Sequence, residues 1–177
     1  MQISPQEGQI ISLLLQLKGA KLVIEIGALV GYSTVWIGSA LPRDGRVISF
    51  EKDITCFKQA RHNISKMTFS SKIKLVYGLA EEQLSGMLAE AKADAFFIDA
   101  KKSDYPMYLA LAHKYLKKGG LLMADNTLLS GKRSNFNDFL KKMPCGVKKF
   151  NNDMASGETF SSTILTTKSG LTVGIKK

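Results

Sequence analysis

The sequence predicts an α/β fold: a mostly parallel sheet with helices on both faces and an antiparallel hairpin at the C-terminus. Three observations predict it. Short apolar runs rich in β-branched residues alternate five times with stretches of helical spacing. Each of those runs ends in a glycine, an acid or an amide, as strand ends do where a parallel sheet meets a ligand. The last stretch alternates with period two about Lys168-Ser169-Gly170, the pattern of a hairpin.

The elements follow in order. Ser4 can cap a helix that Pro5 opens, with Glu7 closing a capping box. Ile10, Leu13, Leu14 and Leu17 supply helical spacing, and Gly19 stands where a C-cap belongs. The stretch KLVIEIGALVGYS at 21–33 reads as a buried strand, a glycine turn and a helix start. Its helix covers 32–41 and includes Trp36, which is expected in the core. Pro42 to Gly45 is a turn, 46–50 is the second strand, and Asp53 caps a helix to about 66. Strands at 73–77, 94–98 and 121–124 follow, with helices at 81–90 and 106–116 between them. Lys117-Lys118-Gly119-Gly120 is expected to stop the second of these helices. Residues 130–146, broken by Gly131, Pro144 and Gly146, read as loop or short helix. A helix at 147–155 precedes strands at 159–167 and 171–176.

The chain has 177 residues, enough for a sizeable core, and reads as a single domain over 1–177. No apolar run approaches a membrane span, and the polar start MQISPQEGQ does not resemble a secretory signal. Two scattered cysteines, Cys56 and Cys145, suit neither a disulfide framework nor a zinc site. These features point to the cytoplasm. The net charge of +10 is uneven. Residues 1–100 hold 11 Lys and Arg against 10 acids, and residues 101–177 hold 14 against 5. Such asymmetry suits either an anionic partner or a basic surface without one.

The chemistry gathers at the strand ends: Glu25 and Gly27, Glu51, Gly78-Leu79-Ala80, Asp99, and Asp125-Asn126. Glu51 follows Gly27 at a distance that suits a carboxylate accepting the hydroxyls of a ribose. A dinucleotide fingerprint would need glycines at positions held by Leu29 and Tyr32. The pattern E-x-G-x-x-x-G followed by Tyr-Ser instead resembles the first motif of S-adenosylmethionine-dependent methyltransferases.

The resemblance extends along nearly the whole chain. SPQEGQ at 4–9, VIEIGALVGYST at 23–34, LPRDGRVISFEKD at 41–53, FFIDAKKSDYPMY at 96–108, LKKGGLLMADNTLLSG at 116–131 and SGLTVGIKK at 169–177 stand in one family's order. It is the cation-dependent O-methyltransferase family that includes catechol and caffeoyl-CoA O-methyltransferases and bacterial relatives.

The resemblance implies a Rossmann-like methyltransferase fold that uses S-adenosylmethionine and a divalent cation. Glu25, Gly27 and Ser33 would line the methionine end of the cofactor, Glu51 would hold the ribose, and Gly78 and Ala80 would lie by the adenine. Asp99 would serve cofactor and metal, Asp125 and Asn126 would complete the metal's protein ligands, and Lys102 would be the general base. Two carboxylates and an amide oxygen suit Mg²⁺, Mn²⁺ or Ca²⁺. Lys102, beside a dication and a sulfonium, would more readily adopt the neutral form a base needs.

A small catechol-like diol is the expected acceptor. Hydroxylated uridine of transfer RNA, a CoA ester, or binding without catalysis are the alternatives. The chain departs from the family at Lys101 and Ser169, where acids are common, and at Leu129, where an aromatic residue is common. Family dimers are built in part by a helical segment before SPQEGQ. This chain starts almost at that point, which weakens the expectation of a homodimer.

Overall fold

The structure, a computed structural model, describes residues 2–88, 91–128 and 143–177. Five parallel strands form its centre: β1 (Leu22–Ile26), β2 (Arg46–Glu51), β3 (Ile73–Tyr77), β4 (Ala93–Ile98) and β5 (Leu116–Ala124). The hairpin strands β6 (Phe160–Leu165) and β7 (Leu171–Lys176) follow, with β7 antiparallel to β5 and β6 antiparallel to β7. The order across the sheet is β3-β2-β1-β4-β5-β7-β6. The strand order reverses between β1 and β4, where an open parallel sheet leaves a crevice beyond its carboxyl ends.

Six described helices cover the sheet: α1 (Pro5–Lys18), α2 (Tyr32–Ala40), α3 (Ile54–Ser65), α4 (Ala80–Leu88), α5 (Tyr105–Tyr115) and α6 (Cys145–Ala155). Strand alternation divides the core in two. Ile24, Ile26, Ile48, Phe50, Phe96 and Ile98 meet α4, α5 and α6 on one face. Val23, Val47, Ala95, Phe97 and Met123 meet α1 and α2 on the other. Both faces are covered, so β4 is buried along its whole length and carries no polar alternation.

Several elements have the predicted causes. Ser4 and Glu7 form the reciprocal capping box of α1, and Gly19 ends that helix in the left-handed conformation at φ 63°. Asp53 caps α3 by accepting from the Cys56 N–H at 2.8 Å. At the opposite edge of the sheet from the crevice, Asp94 joins three strands. Its carboxylate accepts from the Lys21 and Leu22 N–H groups at 2.9 and 2.8 Å and from Lys117 Nζ at 2.6 Å. Burial raises this carboxyl, but the Lys117 ammonium and the two N–H groups outweigh burial and hold it below the usual range.

Other expectations are corrected. The buried face of α1 is Gly8, Ile11, Ser12 and Leu15, whereas Leu13 and Leu17 are exposed. The spacing of leucines identified a helix but not its inner side. That side is set by Gly8, where a Cβ would stand 2.5 Å from the Trp36 ring, so α1 and α2 pack closely. Trp36 itself is half-buried against this core. Lys117 to Gly120 end α5 but belong to β5. The register there passes from Ala93↔Leu116 to Ala95↔Leu121, so the extra residues bulge out of the ladder. Gly146 lies inside α6 rather than in a break before it. The strand expected over 159–167 is confined to Phe160–Leu165. Residues 89–90 and 129–142, which include Leu129, Gly131 and most of the stretch 130–146 read as loop or short helix, lie outside the described residues.

Candidate active site

The carboxyl ends of β1, β2, β3 and β4 surround a crevice of about 240 Å³. Gly27, Glu51, Gly78, Ala80, Asp99, Lys102 and Asn126, all singled out in the sequence, line it.

Gly27 is required by a close approach of two chains. Its φ is 99°, and a Cβ would stand 2.3 Å from the Asp99 carbonyl oxygen. The β1 turn and the β4 end therefore touch backbone to backbone. Leu29 follows at φ 51°, an uncommon conformation for a residue with a Cβ. Its N–H donates to Glu51 Oε2 at 2.7 Å, while the Asp53 N–H donates to Oε1 at 2.8 Å. Glu51 is thus fixed from both sides at the rim of the crevice. Each of its oxygens keeps a lone pair for a further donor, as recognition of a ribose requires. Gly78 turns the chain after β3 at φ 122°, and its N–H donates to the Glu51 carbonyl.

Glu25 and Ser33 are placed differently. Glu25 points under α2, fully buried, and accepts from the Thr34 hydroxyl at 2.6 Å and from the Ser49 hydroxyl. Among the described residues its Oε1 has no partner. Burial pushes this carboxyl up, against the hydroxyls of Ser33, Ser49 and Thr34. Neither Glu25 nor Ser33 borders the crevice. The hydroxyls from α2 and β2 thus satisfy Glu25 at Oε2 alone.

Asp99 and Asp125 stand at the ends of neighbouring strands, one residue beyond the Ile98↔Ala124 pair. The Asp125 N–H donates to the Ile98 carbonyl at 2.9 Å. Lys102 Nζ donates to Asp99 Oδ1 at 2.8 Å and to the Tyr105 hydroxyl at 2.6 Å. Asn126, at φ 55°, donates through Nδ2 to Asp125 Oδ2 at 2.9 Å, which leaves its amide oxygen as an acceptor. Burial, with the Asp99 charge second, pushes the Asp125 carboxyl up to about 6. Two crowded carboxylates and an amide oxygen form a hard oxygen donor set that a divalent cation would relieve. Among the described residues no three of His, Cys, Asp and Glu gather into a metal cluster. The donor set here has two acids and an amide, so it fits an oxygen-loving cation and not zinc.

Three contributors were not expected at the site from the sequence. Tyr105 and Tyr108 occupy the first turn of α5, three and six residues after Lys102. Tyr108 borders the crevice, and burial raises its phenol to about 12, helped by the charges of Glu81 and Asp104. The aromatic spacing in KSDYPMY was the available signal. The third is Glu7, 2% exposed. Ser169 Oγ lies 3.2 Å from Glu7 Oε1 and 3.0 Å from Asp125 Oδ1, so α1 and β5 meet at one hydroxyl. No local pattern joins residues that far apart in sequence.

A doubly wound sheet with a ribose-type acid at β2, a glycine turn at β1 and a lysine beside two acids at β4 and β5 defines a class, the S-adenosylmethionine-dependent O-methyltransferases. The chain belongs to the O-methyltransferase family, whose model matches residues 1–177. It is 34% identical over 167 residues to a catechol O-methyltransferase of Niastella koreensis, covering 93% of this chain and 75% of that protein. It is 36% identical over 134 residues to a caffeoyl-CoA O-methyltransferase of Populus kitakamiensis, covering 74% of this chain and 57% of that one. Among solved structures, the O-methyltransferase from Bacillus cereus in complex with SAH matches with a TM-score of 0.86 at 29% identity, over 99% of this chain and 83% of that one. An O-methyltransferase from Streptomyces achromogenes involved in tomaymycin synthesis, in complex with SAM, matches with a TM-score of 0.85 at 26% identity, over 99% and 82%.

Proposed function

We propose that this protein is a divalent-metal-dependent O-methyltransferase that methylates one hydroxyl of a small catechol-like vicinal diol. The observation that carries this reading is the meeting of Asp99, Lys102, Asp125 and Asn126 at two neighbouring strand ends beside the crevice. The Niastella koreensis relative, a catechol O-methyltransferase, supports the same acceptor class.

S-adenosylmethionine supplies the methyl group, and Glu51 and Gly27 hold it along the crevice. A divalent cation would be held by Asp99, Asp125 and Asn126 and would supply Lewis acidity at the acceptor end of the crevice. Lys102 accepts the hydroxyl proton at Nζ. Asp99 orients Lys102, and Tyr108 forms part of the crevice wall. The protein's contribution is mostly positioning, as expected for an in-line transfer. Glu25 and Ser33 support the β1–α2 turn from beneath.

A larger, phosphate-bearing acceptor, a CoA ester or a transfer RNA, is the second reading. Lys52 and Lys101 border the crevice with Lys102, and Lys101 is 63% exposed with its only ion-pair partner, among the described residues, at 3.9 Å. The caffeoyl-CoA relative fits the same acceptor chemistry.

Turnover of labelled S-adenosylmethionine on small diols, with and without a chelator, tests the main reading. Activity that vanishes on chelation and returns with Mg²⁺ or Mn²⁺ is expected. Full activity after exhaustive chelation would defeat it. If RNA or a CoA ester reacts instead and its binding falls steeply with salt, the second reading replaces the first.

A further inference from the structure

Behind the crevice stands a residue that the scheme above does not use. Tyr105, the first residue of α5, is fully buried. Its hydroxyl accepts from Lys102 Nζ at 2.6 Å and donates to the Asp125 carbonyl at 2.6 Å. A phenol has one proton, and it goes to the Asp125 carbonyl at the shorter distance, with the Ile98 carbonyl 3.4 Å away beside it. The ring is held edge-on by Phe150 of α6, with centroids 5.4 Å apart, and the Lys102 ammonium lies 4.7 Å from its centroid. Lys102 has three N–H donors. Asp99 and Tyr105 take two, and among the described residues the third has no acceptor. The end of a long, flexible side chain is therefore fixed at two points, and its third position, an N–H in the ammonium and the lone pair in the neutral base, is left unengaged.

The same turn is backed from outside by main chain. Gly146, in the first turn of α6, approaches the short 3₁₀ turn Lys102–Asp104 so closely that a Cβ would stand 2.4 Å from the Lys102 carbonyl oxygen and 2.6 Å from that of Ser103. α6 therefore supports the Lys102 turn twice, through Phe150 against the Tyr105 ring and through Gly146 against the backbone.

We propose that Tyr105 is a positioning residue for methyl transfer: its buried hydroxyl fixes the Lys102 amine against Asp99, and the close contact at Gly146 fixes the turn that carries it. The inference rests on the reading of Lys102 as the base. Tyr105 is separated from the acceptor by Lys102, so it acts on the rate and not on what binds.

Tyr105→Phe keeps the ring and its packing and removes the hydroxyl. The expected result is a fall in kcat of about tenfold to a hundredfold, as for loss of a group that orients another. KM for the acceptor and the S-adenosylmethionine and Mn²⁺ affinities read by calorimetry stay unchanged. A readout free of turnover accompanies it. In protein labelled with ¹⁵N-lysine, the Lys102 ammonium signal, assigned by its absence in Lys102→Met, is protected from exchange in the wild type and merges with exposed lysines in Tyr105→Phe. Gly146→Ala, which displaces the same turn without touching the phenol, gives the same split between kcat and KM.

A folded Tyr105→Phe protein with wild-type kcat and a protected Lys102 signal overturns the proposal. So does a loss of Mn²⁺ affinity that accounts for the loss of kcat, because Tyr105 would then act through Asp125. Lys102→Met separates the two levels. If it retains wild-type turnover, the base reading fails and carries this inference with it. If it is inactive while Tyr105→Phe is fully active, only the present inference fails.

Discussion

Asp125 bears the clearest electrostatic strain among the strand-end residues. Burial first, and Asp99 second, raise its carboxyl from 3.8 to about 6. A raised carboxyl means that the folded chain holds the proton more tightly than the unfolded one, so ionisation costs stability. The cost is absent below about pH 4, grows as pH rises toward 6, and is complete above it. At about 1.4 kcal/mol per pH unit it is on the order of 3 kcal/mol at neutral pH. Metal-free protein should therefore melt at a lower temperature at pH 7.5 than at pH 5. Asp125→Asn should remove much of that difference, as read by thermal unfolding across pH. The same residue should govern turnover: Asp125→Ala loses activity and keeps most of its S-adenosylmethionine affinity, measured by calorimetry. Glu51→Ala should do the reverse and weaken that affinity by about 1.5–3 kcal/mol, the scale of hydrogen bonds to a charged group. At this scale the sequence was readable where chemistry follows from strand-end position. Asp99, Asp125, Asn126, Lys102, Glu51 and Gly27 all come to one edge. It was silent on Ser169 as the link to Glu7 and on Tyr105 as a support, because both contacts depend on packing between elements.

Single residues tie strand ends together at both ends of the sheet. Asp94 joins the starts of β1, β4 and β5 with three hydrogen bonds. Its carboxyl is held low in the folded state, so its stabilisation is fully present above about pH 4 and is lost as pH falls through the lowered value. Asp94→Ala should cost about 1–3 kcal/mol in urea unfolding at pH 7, and the difference from wild type should shrink below pH 4. At the other edge, Gly27→Ala forces a Cβ to 2.3 Å from the Asp99 carbonyl oxygen at a positive φ. It should destabilise by more than about 1 kcal/mol and abolish cofactor binding, checked by unfolding and calorimetry on the same preparation. Element types were legible because capping boxes, β-branched runs and glycine turns are local. The inner face of α1 was not, because it is chosen by the contact between Gly8 and Trp36. The bulge in β5 was not either: Lys117-Lys118-Gly119-Gly120 is as good a turn as a bulge until β4 lies beside it.

Over the whole molecule, the reversal of strand order between β1 and β4 gathers five chain segments around one crevice. Such a site exists only in the folded chain, so S-adenosylmethionine should stabilise it by about 2.7 kcal/mol at a hundred times its dissociation constant. A rise in melting temperature with S-adenosylmethionine and none with NAD is the expected result. No described helix is long and apolar enough to cross a membrane. The uneven charge divides between the two ends of the sheet. Lys92 and Lys176 donate to carbonyls at the C-terminal end of α5, Lys117 donates to Asp94, and Lys114 lies over the Tyr115 ring, all at the opposite end of the strands from the crevice. Within the basic half 101–177, Lys117 and Lys176 thus have partners of their own at this end.

The hydroxyl of Ser169 has one proton and two carboxylates within reach. When it is given to Asp125, Glu7 relies on the backbone donor of its capping box, and when Asp125 is engaged elsewhere, Glu7 can have it. One hydroxyl therefore couples the opening turn of α1 to the strand end across the sheet. Loading the site with a cation should be readable as a change in amide exchange at Glu7 and Gly8, which do not border the crevice.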